Sequence, residues 1–255
     1  MGINEINFKK RSLLFAKLSS IAYSNKKTAT SQAKKLGFTI TKFYDKEGAQ
    51  AYKFQNKHDI VIACRGTEPT EWNDIAADLK ALPVMAETVS RVHKGFKEQV
   101  DLLWPMVLED INKKTNEKKK LWFCGHSLGA AMSTIMASRC HLYEHIQPVE
   151  ELYTYGSPRV GYSKYCKSLG VKHHRWKNNN DIVTKVPLWI MGYRHDGTMH
   201  YITSKNTIGT PGIRDWWLGI WHGIKNRKFD SIADHDIKAY HDNIDIALKE
   251  IPPHM

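Results

Sequence analysis

The segment Leu121 to Ala137 restricts this chain more than any other. A short apolar run, Leu121-Trp-Phe-Cys124, leads into Gly125-His126-Ser127-Leu128-Gly129. A stretch of small residues follows, including Ala130, Ala131 and Ala137. The pattern G-x-S-x-G alone recurs by chance, but here it lies where a buried strand must turn sharply into a closely packed helix, the setting a nucleophile elbow requires. The glycines are needed sterically: the turn strains the serine backbone, and a β-carbon two residues away would collide with neighbouring backbone. Ser127 is thereby presented as a nucleophile, and Leu128 opens the following helix with a free N–H that can face a developing oxyanion.

The surrounding chain alternates strand and helix signals. Phe8 to Tyr23 carries apolar residues at helical spacing. Phe38 to Tyr44 and Gln50 to Phe54 form a strand pair around Asp45-Lys-Glu-Gly48. Ile60 to Cys64 is apolar throughout, as in a strand covered on both faces. Glu71 to Lys80 spaces Trp72, Ile75, Ala76 and Leu79 as one face of a short amphipathic helix. A helix near His93 to Lys113, strands at Leu152 to Tyr155 and Val171 to Trp176, and a last helix over Ser231 to Leu248 complete the pattern. This predicts an α/β fold with a mostly parallel central sheet covered by helices on both faces. At 255 residues without a linker or internal repeat, residues 1–255 are expected to form one domain.

A serine hydroxyl attacks carbon at neutral pH only if a histidine takes its proton and an acid orients that histidine. Asp181 follows a strand and the turn Asn178-Asn-Asn180, the position just past a strand end where such residues collect. Asp196 is the rival and the less favoured. Among 13 histidines, His235 and His241 lie downstream. His241 sits on the edge of the last helix's buried stripe of Ile237, Tyr240, Ile244 and Leu248. His235 lies off that stripe, where a loop can aim it, and is preferred.

Charge and cysteines bound the partners. The net charge of +12 favours an anionic partner, although its lysine clusters are scattered and also fit ordinary solvated faces. An anionic phospholipid surface is the sharper expectation, and no nucleic-acid motif occurs. No H-E-x-x-H or comparable ligand spacing appears, so neither a metal nor another cofactor is expected. Cys64, Cys124, Cys140 and Cys166 are neither paired closely nor dense, which suggests reduced, buried thiols. Lys17 interrupts the apolar run after Lys9-Lys-Arg11, so the chain is expected to be cytoplasmic, or released without a recognisable Sec signal.

Several segments together resemble the class 3, or fungal-type, lipase family of the α/β-hydrolase superfamily. They are Val61-Ile-Ala-Cys-Arg-Gly-Thr67, Glu71 to Leu79, Val92-His-Lys-Gly-Phe96, Gly125 to Gly129, Thr154-Tyr-Gly-Ser-Pro-Arg159, Asn178 to Val183 with Val186-Pro187, and Asp234-His235. The resemblance implies an α/β-hydrolase fold and carboxylic-ester hydrolysis of lipid-like substrates, acylglycerol or phospholipid, through an acyl-serine. It implies Ser127 as nucleophile, Asp181 as acid and His235 as base, with Thr67 and Leu128 forming the oxyanion hole. The helix from Thr70 to Leu79 would match the family's lid, against the plainer reading of a fixed surface helix. Asp215-Trp-Trp-Leu-Gly-Ile-Trp221 has no counterpart in the resemblance and suits a membrane-interface anchor, an acyl-pocket wall or core packing. The alternative function is a basic, membrane-binding protein on a catalytically idle hydrolase scaffold.

Overall fold

A computed structural model describes residues 2–66, 82–144, 146–203, 207–209 and 234–249. Thr67, the helix expected from Glu71 to Lys80 and the tryptophan-rich segment after Asp215 lie outside the described residues.

In chain order the regular elements are α1 (Phe8–Ile21), α2 (Lys26–Lys35), β1 (Ile40–Lys46), β2 (Ala49–Gln55), β3 (Asp59–Cys64), β4 (Pro83–Met85), β5 (Arg91–His93), α3 (Lys94–Ile111), β6 (Lys120–His126) and α4 (Leu128–Arg139). They continue with β7 (Val149–Tyr155), β8 (Gly161–Tyr162), α5 (Ser163–Lys167), β9 (His173–Asn178), β10 (Tyr193–Arg194), β11 (Thr198–Ile202), β12 (Ile208–Gly209) and α6 (Ile237–Lys249). The main sheet has the order β1-β2-β3-β6-β7-β9-β11-β12. Its middle, β3 to β11, is parallel, and β1, β2 and β12 join antiparallel. The short strands β4, β5, β8 and β10 form a second, smaller sheet.

Strand alternation explains why β3 from Ile60 to Cys64 and β6 from Leu121 to Cys124 are apolar. Ile60, Ile62 and Cys64 of β3, with Leu121 and Phe123 of β6, face the helices α3 and α4. Val61 and Ala63, with Trp122 and Cys124, face α1 and α6 on the other side. Successive side chains point to opposite faces, so a strand between two helical layers needs apolar residues at every position. Two cores result, one on each face of the sheet.

The expected strand pair is β1 and β2, joined by a two-residue turn in which Glu47 has φ 51° and Gly48 has φ 85°. Positive φ at both central residues matches the twist of the flanking strands. Buried polar groups tie the outer strands to the helices. The Asp110 carboxylate accepts from Tyr44 Oη at 2.7 Å and pairs with Lys42 and Lys113, both at 2.5 Å. Burial pushes this carboxyl up, but those donors outweigh it and hold it well below the usual carboxylate range. On the opposite face, Asp59 is fully buried and accepts from the Ile3 N–H at 3.0 Å and the Trp122 indole at 2.9 Å. It thereby fastens the start of the chain to the centre of the sheet.

Candidate active site

The sharp turn after β6 has the expected steric basis. Ser127 adopts φ 57° and ψ −130°, a conformation that costs of the order of 1–3 kcal/mol for a non-glycine residue. A β-carbon on Gly125 would lie 2.3 Å from the carbonyl oxygen of Gly129, and one on Gly129 would lie 2.2 Å from that of Cys64. Both clashes are with backbone. The two glycines let α4 approach β3 and β6 closely enough to hold the serine at the sheet's carboxyl edge. Leu128 is the first residue of α4, and its N–H belongs to the first helical turn, which has no acceptor within the helix.

Asp181 lies just beyond β9, and His235 immediately precedes α6. His235 Nε2 is 2.8 Å from Ser127 Oγ, and His235 Nδ1 is 2.9 Å from Asp181 Oδ2. All three side chains are buried. Since the carboxylate accepts from Nδ1–H, the Nε2 lone pair is left facing the serine hydroxyl. Asp181 is held by two further donors: Tyr240 Oη at 2.5 Å on Oδ2 and the Val183 N–H at 2.9 Å on Oδ1. Tyr240 in turn accepts the Asn178 N–H at 2.9 Å. A chain of hydrogen bonds therefore runs from the backbone of β9 through Tyr240 and Asp181 to His235 and Ser127.

The rival residues lie elsewhere. Asp196 is 3.1 Å from His173 Nδ1, and His173 Nε2 is hydrogen-bonded with Thr154 at 2.7 Å. His241 is partly exposed and pairs with Asp242 at 3.0 Å. The fixed position of His235 comes from its neighbours. Asp234 accepts from Asn179 Nδ2 and the Asn180 N–H, and its carbonyl accepts from Asn178 Nδ2. The Asn178-Asn-Asn180 turn therefore clamps the loop that carries the imidazole.

Three contributors were not singled out as such from the sequence. His126 packs against His235 with the rings tilted and their centroids 4.5 Å apart, and its Nε2 lies 2.6 Å from the His235 carbonyl oxygen. A carbonyl only accepts, so Nε2 carries the proton and Nδ1 accepts from Tyr23 Oη at 2.9 Å. Burial, reinforced by the charge of His235, pushes the His126 imidazole well below its ordinary range. It is thus a neutral strut. Tyr240 was read as part of a packing stripe, and periodicity gives no sign of where its hydroxyl points.

The third contributor is Gly156, at the end of β7 with φ 58°. A β-carbon there would stand 2.7 Å from Asp181 Oδ2 and 2.8 Å from His235 Nδ1. Its signal was only that of a turn residue ending a strand. Gly156→Ala is expected to push the carboxylate and imidazole apart and lower kcat by about 10²-fold. The Km for a dissolved ester should stay within a few-fold, and steady-state kinetics check the split.

A family model for lipase (class 3) matches residues 61–191, just over half of the chain. The chain belongs to the class 3 lipase family. Among curated relatives, a secreted mono- and diacylglycerol lipase A from Penicillium cyclopium is 38% identical over 122 residues, covering 44% of this chain and 39% of that protein. A lipase from Rhizomucor miehei is 31% identical over 192 residues, covering 70% of this chain and 51% of that one. The chain thus spans about half, or less, of the length of these relatives. The crystal structure of the Rhizomucor miehei triacylglyceride lipase superposes with a TM-score of 0.71 at 22% identity, covering 90% of this chain and 94% of that one. This establishes the α/β-hydrolase fold.

One expectation is overturned. Lys17 and the sparse cysteines suggested a cytoplasmic chain, but relatives from Penicillium and from Fusarium solani are secreted lipases by name, which points outside the cell. Interruption of an apolar run was too weak a sign, and sparse cysteines do not exclude an oxidising environment.

Proposed function

We propose that the chain is a serine carboxylic-ester hydrolase acting on acylglycerols, with residues 1–255 as one catalytic domain. The observation that carries this reading is the continuous line from Asp181 through His235 to Ser127, with heavy-atom separations of 2.9 and 2.8 Å. In the reaction, His235 Nε2 takes the proton as Ser127 Oγ attacks the ester carbonyl carbon. Asp181 holds the imidazole in the tautomer that can accept and stabilises the imidazolium that forms. The oxyanion faces the Leu128 N–H, with Thr67 as the second donor. Collapse of the tetrahedral intermediate releases the alcohol, protonated by His235, and leaves an acyl-Ser127. Water, deprotonated by the same imidazole, then frees the acid.

Acylglycerol as the substrate is supported by the names of the relatives and by the surface. Ile182 is exposed directly beside Asp181, and Leu188, Trp189, Ile190 and Met191 form an exposed apolar run, with Ile190 74% exposed. Exposed apolar residues clustered together mark contact surfaces, and a lipid interface suits these near the acid's loop.

The test is covalent labelling with a fluorophosphonate. The unaltered chain should be labelled at Ser127 and should turn over an emulsified diacylglycerol faster than a dissolved short-chain ester. Ser127→Ala should take no label. Equal labelling of both proteins would rule out Ser127 as the nucleophile, and label on neither together with salt-sensitive vesicle binding and no ester turnover would instead favour a catalytically idle, membrane-binding scaffold.

A further inference from the structure

The outer face of α1 lines an open cavity of about 430 Å³, within the range typical of small-molecule sites. Its walls include Ile6, Leu13, Leu14, Leu36 and Phe38, while Ser127, Asp181 and His235 do not line it. Phe38 and Ile3 are buried at its base, and Leu13, Leu14 and Leu36 are half-buried. Lys10 and Lys17 stand exposed at its edge. They are seven residues apart, two turns and about 10 Å along one side of the helix, with Leu13 and Leu14 between them. Among the described residues neither lysine is ion-paired, and no aspartate or glutamate lines the cavity.

A largely apolar trough, with Asn56 and His241 also in its lining, edged by two cations that have no ion-pair partner among the described residues, suits a molecule with a flexible hydrocarbon tail and a single anionic head. The geometry points to a second, non-catalytic site that takes a free long-chain fatty acid, its tail along Leu13, Leu14 and Phe38 and its carboxylate held between Lys10 and Lys17. A concave surface receives one chain, whereas a flat bilayer would meet only its rim. The net charge of +12 favours a small anionic occupant over a second copy of this protein, which would bring the same excess of positive charge. The site goes beyond the proposed ester hydrolysis, although it would hold the kind of acid that reaction releases.

The test uses Ser127→Ala protein, which cannot turn over an ester, so its outcome is independent of the hydrolase reading. A fluorescent anthroyloxy-stearate, kept below its micellar concentration, should bind saturably. Adding Lys10→Glu and Lys17→Glu, both at exposed positions, should weaken that binding at least tenfold, while the methyl ester of the probe is unaffected by the charge reversal. Leu14→Asn should weaken acid and ester alike. The assignment is overturned if the charge-reversed protein binds the acid within twofold of its parent, if acid and methyl ester lose affinity equally on charge reversal, or if lysine-dependent binding appears only with anionic vesicles. Unchanged thermal unfolding midpoints of the lysine variants confirm that the readout concerns binding.

Discussion

Asp181→Asn should lower kcat for a dissolved ester by about 10⁴-fold, the scale known where a buried acid holds a catalytic imidazole, with little change in unfolding temperature. An amide can still fill the space, but its NH₂ facing Nδ1 would favour the tautomer in which Nε2 carries the proton and cannot accept one from Ser127. The Val183 N–H would still be accepted by the amide oxygen, and Tyr240 Oη could turn to accept from the NH₂ that replaces Oδ2, so the loss would fall mainly on chemistry instead of folding. Asp196→Asn is the internal control. Its contact is with His173, and kcat should stay within a few-fold. If the two substitutions exchanged these outcomes, the assignment of the acid would be wrong.

Gly129→Ala is expected to act on the fold itself. The added methyl would sit 2.2 Å from the Cys64 carbonyl oxygen and 2.8 Å from the carbonyl carbon of Arg65. Both atoms are backbone at the end of a central strand, so no side chain can turn away. Forcing α4 outward would open the seam against β3 and cost about 3 kcal/mol, the upper end for overpacking. For a chain of this size that is roughly 6–12 °C in unfolding midpoint, measurable by calorimetry. Activity should fall with it, because the same displacement moves the N–H of Leu128 and the hydroxyl of Ser127. An unchanged midpoint would mean that the close approach of α4 is dispensable.

The sequence revealed the middle of this molecule and obscured its margins. Strands β3 and β6 were visible because burial on both faces demands an apolar residue at nearly every position, whereas β7 and β9 showed as short candidates ending in turn residues. Helix α2 was not: Lys26 to Lys35 buries only Ala29 and Ala33, and its clearest local mark is Asn25, whose side chain accepts the Thr28 N–H at 3.0 Å. Strand β11 was also missed, since it lies towards the sheet's far side with Met199 exposed and too few apolar residues to stand out. The second sheet consists of strands of two or three residues, too short for any alternation to register.

For the site, chain order and strand ends offered Ser127, Asp181 and His235 as candidates, with Asp196 and His241 as rivals, and the fold brings the first three within hydrogen-bond distance of one another. The supporting contacts of Gly156, His126 and Tyr240 depend on tertiary approach. Spacing along one chain carries no record of which atom comes near which.

The four cysteines have a bearing on where such a protein can work. All are buried and unpaired, and burial pushes the thiols of Cys64, Cys124 and Cys166 up to about 12. At neutral pH the reactive thiolate is therefore strongly disfavoured at these positions. Sulfur that is shielded and protonated exchanges slowly with outside thiols and oxidants, so the folded polypeptide needs no particular redox surroundings to keep its covalent structure.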